Sequence, residues 1–280
     1  MQHLKADLQA RGFILSPPAS PEDLAALEAD LGVPLPAPVR AMYELFDDLE
    51  DYQDLAYELL SIRRARAALA ELRAPYENLG TPSLLRFGLP LFRDAGNNYL
   101  VYSMLHECPD RLVLSEHDML FEPEVLFPTL TAVFEARCDP DTAALDFPPT
   151  YPVIAGTVPG DSEAADACIR AWRSRTGLEA GFFLSLACSV LPQTRLEELI
   201  HWLNEVAAEG LRPLYRSLGR REAPEAVPVL EALMHRVQTQ GERFTVHTRW
   251  IEETIAEIGT PDARAALLRL NTPVPGQDPE

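Results

Sequence analysis

Three prolines in five residues, Pro34, Pro36 and Pro38, separate two apolar helical stripes, and no other stretch constrains the chain path as tightly. Proline lacks an amide donor and fixes φ, so the run cannot be helix interior; Pro36 or Pro38 can nevertheless open a helix, whose first turn has no use for its N–H groups. Upstream, Leu24, Leu27, Glu28 and Leu31 keep helical spacing behind Ser20, a capping residue, and Pro21, with Glu22 and Asp23 where the helix dipole favours acids. Gly32 ends that helix as a left-handed cap. Downstream, Val39, Met42, Tyr43, Leu45 and Phe46 form a second stripe. The expectation is two short helices meeting at a proline elbow.

Five acids follow within eight residues: Asp47, Asp48, Glu50, Asp51 and Asp54, broken by Leu49, Tyr52 and Gln53. Like charges so dense disfavour burial and helix continuation, so a loop or an exposed helix end is expected. Calcium loops place acids at alternate positions with a glycine at the turn, and this run has neither. A plain solvated loop and a partner contact both remain open. In the second case Asp47, Asp48, Glu50, Asp51, Tyr52 and Asp54 are the candidate contact residues, because aromatics anchor and charges steer. Tyr43 and Tyr57 flank the run, and core packing accounts for them equally well.

Residues 1–16 read as a short helix and a strand, with Phe13, Ile14 and Leu15 as an apolar edge. Ile62, Ala65, Leu69 and Leu72 space a helix. Residues 74–88 form a proline-containing connection. Three neighbouring antiparallel strands follow, centred on Leu91-Phe92, Tyr99 to Tyr102 and Arg111 to Leu114, the first turn using Gly96 and Asn97. Pro123 and Pro128 bracket the start of a helix running through Phe134. Residues 139–161 carry five prolines and mark a linker. Beyond it the periodicity is helical throughout: 164–175, 178–190, 196–208, 211–218, 226–237, 245–258 and 263–270. The tail from Thr272 is expected to be disordered.

The order "L-E-x-x-L-G-x-x-L-P", here Leu27, Glu28, Leu31, Gly32, Leu35 and Pro36, followed by Arg40, Tyr43, Leu45 and Phe46, resembles the SUKH superfamily, which includes a fungal cell-wall-assembly regulator and bacterial immunity proteins. Tyr57 to Ser61 is similar to that family's next strand and helix start. Leu89 to Leu100 is similar to its central hairpin, Arg111 to Asp118 to the strand ending in His-Asp, and Phe127 to Phe134 to its closing helix. The likeness covers roughly residues 15–138; it departs at Asp47-Asp48, where the family usually has Asn-Gly. In the second half, Leu218-Gly219 with Ala223-Pro224-Glu225 parallels Ile258-Gly259 with Thr260-Pro261-Asp262. Those glycines are spaced as in HEAT-type helix pairs, each expected to cap one helix before a proline and an acid start the next. The expected fold class is therefore α+β: a SUKH-like small antiparallel sheet with flanking helices over 1–140, a linker over 141–161, and an all-α HEAT-like domain over 162–271.

The chain's 280 residues, with mean hydropathy near zero at −0.09, can bury two cores. Its net charge of −19 is uneven: 25 acids against 11 bases in residues 1–150, and 18 against 13 in residues 151–280. Such a surface repels nucleic-acid backbones and anionic lipids and attracts basic proteins. The bases are scattered arginines and a single lysine, Lys5. Cys108, Cys138, Cys168 and Cys188 lie too far apart for C-x-x-C ligation, are too few for a disulfide scaffold and read as buried thiols, and with no signal peptide or membrane span the expectation is cytosolic. His106-Glu107-Cys108 and His117-Asp118 lack a third ligand. Glu198 and His201 have the spacing of half a di-iron site, without a second copy. Trp172, Trp202 and Trp250 read as core, with an exposed groove along stacked helices as the alternative. No nucleophile elbow, phosphate loop, dinucleotide fingerprint or zinc-protease motif occurs, so neither cofactor nor metal is expected. The expected function is non-enzymatic binding of a basic protein through an acidic face. The SUKH resemblance implies an immunity protein that occludes a toxin. A regulatory scaffold using its helical repeats, or an enzyme with an unrecognised site between domains, are the alternatives.

Overall fold

A computed structural model describes residues 2–50, 57–76, 81–116, 121–138, 151, 158–206, 211–240 and 245–270, with backbone only at residues 2, 50, 137–138, 238–240 and 245–246. It is α+β with a helical C-terminal region. By packing, the chain divides into two compact units. Residues 1–151 with 163–186 form the first, and residues 152–162 with 187–280 the second. The break expected from the prolines of 141–161 falls mostly outside the described residues.

The proline elbow forms as its chemistry requires. Helices α1 (Gln2–Ala10), α2 (Pro21–Leu31) and α3 (Ala37–Tyr43) open the chain, with β1 (Ile14–Leu15) between the first two. The Ser20 side chain accepts from the Asp23 amide at 3.1 Å, and Gly32, at φ 71°, caps α2 through a bond from its amide to the Glu28 carbonyl. Glu28 then ties the elbow together: its Oε1 accepts from the Leu35 amide at 2.7 Å and from the Arg40 guanidinium. Those two donors hold its carboxyl below the usual carboxylate range. One side chain thus joins both helices of the elbow.

A meander of β3 (Tyr57–Leu59), β4 (Gly88–Asp94), β5 (Tyr99–Ser103), β6 (Leu112–Ser115) and β7 (Glu124–Phe127) makes a five-stranded antiparallel sheet in that order. Helix α4 (Ile62–Arg73) and the short α5 (Ser83–Arg86) lie between β3 and β4, and α6 (Leu130–Cys138) follows β7. Sequence periodicity showed the middle three strands; β3 and β7 are too short to show alternation. The segment between Pro123 and Pro128 is β7, not a helix start. Val125 pairs with Val113, and α6 begins later, where Thr129 Oγ1 accepts from the Ala132 amide at 3.2 Å.

The core of this unit is aromatic. Phe134 meets Phe46 edge-on at 6.0 Å and Phe92 at 5.7 Å, and all three are fully buried. Burying each such ring contributes roughly 1.5–3 kcal/mol. Gly88 is required where α5 crosses the sheet, since a Cβ there would strike the Leu84 carbonyl oxygen and come within 2.6 Å of Val101 Cγ1. Glu179 closes the same corner by accepting from Ser83 Oγ at 2.9 Å and the Ser83 amide at 3.3 Å.

Helices α7 (Asp161–Ser174), α8 (Gly177–Val190), α9 (Leu196–Glu205), α10 (Arg212–Arg220), α11 (Val227–Gln240), α12 (Thr245–Ile258) and α13 (Pro261–Leu270) follow the expected positions closely. In the second unit α10 packs on α12, and α11 on both α12 and α13. The two repeated glycines differ in role. Gly259, at φ 65°, caps α12 as expected; Gly219 lies inside α10 without positive φ, and the turn falls at Glu222, at φ 49°. Gly219 is there for space, because a Cβ would collide with the Glu257 carboxylate.

Arg221, 2% exposed, finishes α8 from a distance. Its guanidinium donates to the carbonyls of Cys188 at 3.1 Å, Ser189 at 3.3 Å and Leu191 at 2.7 Å, to Gln193 Oε1 at 3.1 Å and to Ser217 Oγ at 3.1 Å. The last carbonyls of a helix have no partner within it and carry the negative end of its dipole. A buried cation with a planar fork of donors answers both needs.

Candidate functional site

The acidic run after the elbow begins as structure rather than as loop. Leu49 and Glu50 form β2, paired antiparallel with β1 through Leu15↔Leu49 and Ile14↔Glu50. The Ser16 amide donates to the Asp48 carbonyl at 3.0 Å, and the Asp48 amide to Ser16 Oγ at 2.6 Å. Asp47 Oδ1 accepts from the Ile62 amide at 2.8 Å and so serves the first turn of α4, where Ser61 makes no side-chain cap. Asp48 Oδ1 accepts from the Leu49 amide at 2.8 Å, and its carboxylate lies 3.9 Å from Arg64. Asp51, Tyr52 and Asp54, like His117 and Asp118, lie outside the described residues, and Glu50 is described in its backbone alone.

The electrostatics here are crowded. Burial raises the Asp47 pKa, opposed by the Ile62 amide, and repulsion from Asp23 adds to the rise. Burial also raises Asp48, opposed by the Leu49 amide and Arg64, while Asp47 and Glu58 push it further. Glu58 moves the other way, because it bonds the Arg64 guanidinium and lies 2.8 Å from Arg93 Nη2. Repulsion thus links Asp23 with Asp47 and Asp47 with Asp48, while Arg64 and Arg93 are set beside Asp48 and Glu58. Tyr43 is core, with its hydroxyl donating to the Leu60 carbonyl at 2.9 Å, and Tyr57 is buried too.

The other polar groups singled out in the sequence are either exposed or in simple ion pairs where they are described. Glu107 pairs with Arg175 at 3.2 Å and His106 is exposed. Glu198 pairs with Arg195 at 2.6 Å and His201 with Glu205 at 2.9 Å, so each answers a neighbour on its own segment. Cys108, Cys168 and Cys188 are buried thiols; the Cys138 side chain is not among the described ones. Among the described residues no group of three or more His, Cys, Asp or Glu could hold a metal. No helix among them is long and apolar enough to cross a membrane.

Sequence reasoning missed a cleft between α10 and α12, bounded by Arg212, Tyr215 and Arg216 on one side and Trp250, Glu253 and Glu257 on the other. The signal available was the spacing of four between Arg212 and Arg216 and between Glu253 and Glu257, which places each pair on one helix face. Trp202 is buried as expected, whereas Trp250 is only partly so and flanks this cleft. No protein-family model matches the chain, and no curated protein matches it.

Proposed function

We propose that the protein binds another protein, without chemistry of its own, through the acidic surface of its first sixty residues, and that the partner offers a basic face. An immunity protein covering a nuclease-type toxin is the case the SUKH resemblance implies. The observation that carries the reading is the excess of acid in this stretch. Residues 1–60 hold 12 acids and three bases; burial chiefly raises Asp47 and Asp48, and repulsion from neighbouring acids adds to the rise. A cationic partner relieves that repulsion and is steered by it. Asp47 and Asp48 spend part of their bonding capacity on the fold, so exposed acids such as Asp7, Glu22 and Glu44 carry more of the steering.

The test uses the full chain as bait in its native cell. For a captured basic protein, the association rate is measured from low salt to about 1 M, where the screening length falls to about 3 Å. The rate should fall steeply with salt, and Asp7→Asn/Glu22→Gln/Glu44→Gln should lower it about fivefold at low salt with little change in dissociation. An association rate indifferent to both salt and these substitutions rejects the proposal.

A further inference from the structure

Two of the described cysteines, sixty positions apart in the sequence, meet inside the first unit. Cys108 lies in the turn between β5 and β6 and Cys168 in the middle of α7, and neither has any exposed surface. The Cys168 thiol donates to the Glu107 carbonyl at 3.8 Å, and its other hydrogen-bonding neighbour is the Cys108 thiol. Cys188 belongs to the second unit.

Both sides of this contact are held in place. Within the turn the Cys108 amide donates to the Leu105 carbonyl at 3.2 Å, and Ser103 Oγ donates to the Cys108 carbonyl at 2.6 Å. Glu107 ties the same turn to Arg175, just past the end of α7, at 3.2 Å. Along α7 the buried apolar positions around Cys168 are Ala164, Ala165 and Ala171, so no bulky side chain on this face holds the helix away from what it covers. Close backbone approach is what a disulfide requires, since its Cα atoms lie about 4.4–6.8 Å apart.

A buried thiol packs as a small apolar group and needs no second thiol beside it. Packing therefore accounts for the burial of each cysteine but not for their meeting.

We infer that Cys108 and Cys168 form a thiol pair that closes into a disulfide when the surroundings turn oxidising, stapling α7 to the turn between β5 and β6. With a small disulfide such as oxidised glutathione as the oxidant, one cysteine sulfur displaces a glutathione thiol and forms a mixed disulfide. The second cysteine sulfur then displaces the other glutathione. Two protein thiols lose two protons and two electrons, and one glutathione disulfide becomes two thiols. The exchange runs through thiolates. The Cys108 thiol and burial together push the Cys168 thiol far up, so the folded chain reacts slowly, in the moments when the turn and α7 part. The same burial shields the finished bond from reductant. The pair is a slow switch between two levels of stability.

The experiment equilibrates the full chain in glutathione buffers from fully reduced to fully oxidised, approached from both sides, with mild urea to speed local opening. Acid quenching, alkylation and mass spectrometry of the digested chain locate any bond. In the oxidising buffers the intact chain should lose two hydrogens, with Cys108 joined to Cys168, and its thermal midpoint should rise by about 5–10 °C over the reduced protein. In Cys108→Ala and in Cys168→Ala that rise should vanish. The comparison is made within each variant, so it is independent of what the substitution itself costs, and either variant suffices. No bond within the chain in the most oxidising buffer, glutathione retained on either sulfur, a bond to Cys138 or Cys188 instead, or an unraised midpoint overturns the assignment.

Discussion

Asp47 accepts a hydrogen bond from the Ile62 amide at 2.8 Å, so the first acid of the acidic run caps a helix that begins fifteen residues later. Ser61, the residue in the capping position, makes no side-chain bond of its own. Replacing Asp47 with Ala should cost about 1–2 kcal/mol in urea denaturation, the usual loss of a cap, whereas Asp47→Asn, which keeps an acceptor, should cost a few tenths. Equal losses in the two variants would show that charge, not the acceptor, matters at this position.

Asp48 gives a prediction with a definite pH sense. Its folded pKa is raised above the ordinary 3.8, chiefly by burial. A carboxyl with a raised folded value favours the native state when protonated, and that contribution fades as pH rises through the folded value. At neutral pH the wild type therefore bears the cost of an ionised, half-buried carboxylate. Asp48→Asn should gain stability relative to wild type at pH 7 compared with pH 3.5, the gain developing between 3.8 and the raised folded value. Denaturation series at the two pH values check it, and a variant whose relative stability falls on going to pH 7 contradicts it.

Arg221 leaves three carbonyls of the α8 end region, Cys188, Ser189 and Leu191, without their shared donor when it is removed. The Cys188 carbonyl keeps the Ser217 hydroxyl at 2.7 Å, so the loss falls chiefly on Leu191; a buried group left unpaired costs about 1–3 kcal/mol, and Arg221→Met should lose about that much. Arg221→Lys should recover part of this, since an ammonium reaches fewer acceptors than a guanidinium fork. Chemical denaturation of the pair measures the difference, and equal stability of Met and Lys variants would assign Arg221 a packing role alone.

Gly219 and Gly259 occupy equivalent places in the sequence repeat but should respond to alanine for different reasons. Gly259→Ala forces a side chain into φ 65° and should cost about 1 kcal/mol. Gly219→Ala trades a gain in helix propensity of about 0.5–1 kcal/mol against collision with the flexible end of Glu257. Removing the obstacle in Gly219→Ala/Glu257→Ala should expose the gain and leave the double variant more stable than Glu257→Ala alone by about that amount. Thermal melts of the four proteins decide it.

Much of the architecture follows from local chemistry that a sequence carries openly. The proline elbow, the Ser20 and Gly32 caps, and the seven C-terminal helices follow from backbone sterics and 3.6-residue periodicity, which act within a few residues. Strand β7 did not show, because four residues buried on both faces have no alternation; β3 was expected only from the resemblance at Tyr57 to Ser61, since three residues are too few to show a period. The acidic run misled for a related reason: net charge is a sum over residues, while the burial of Asp47 and Asp48 depends on an amide at Ile62 and a strand at Ile14–Leu15.

The sequence by itself determined the α+β class, the helical second half and the excess of acid in the first sixty residues, since periodicity, turn chemistry and composition are properties of neighbours in the chain. Only the tertiary structure decided which acids are spent on the fold, that Gly219 makes room while Gly259 turns the chain, and that Arg212 and Tyr215 share a cleft with Trp250. Desolvation and close approach are set by what packs against a residue, and that is fixed when the chain closes on itself.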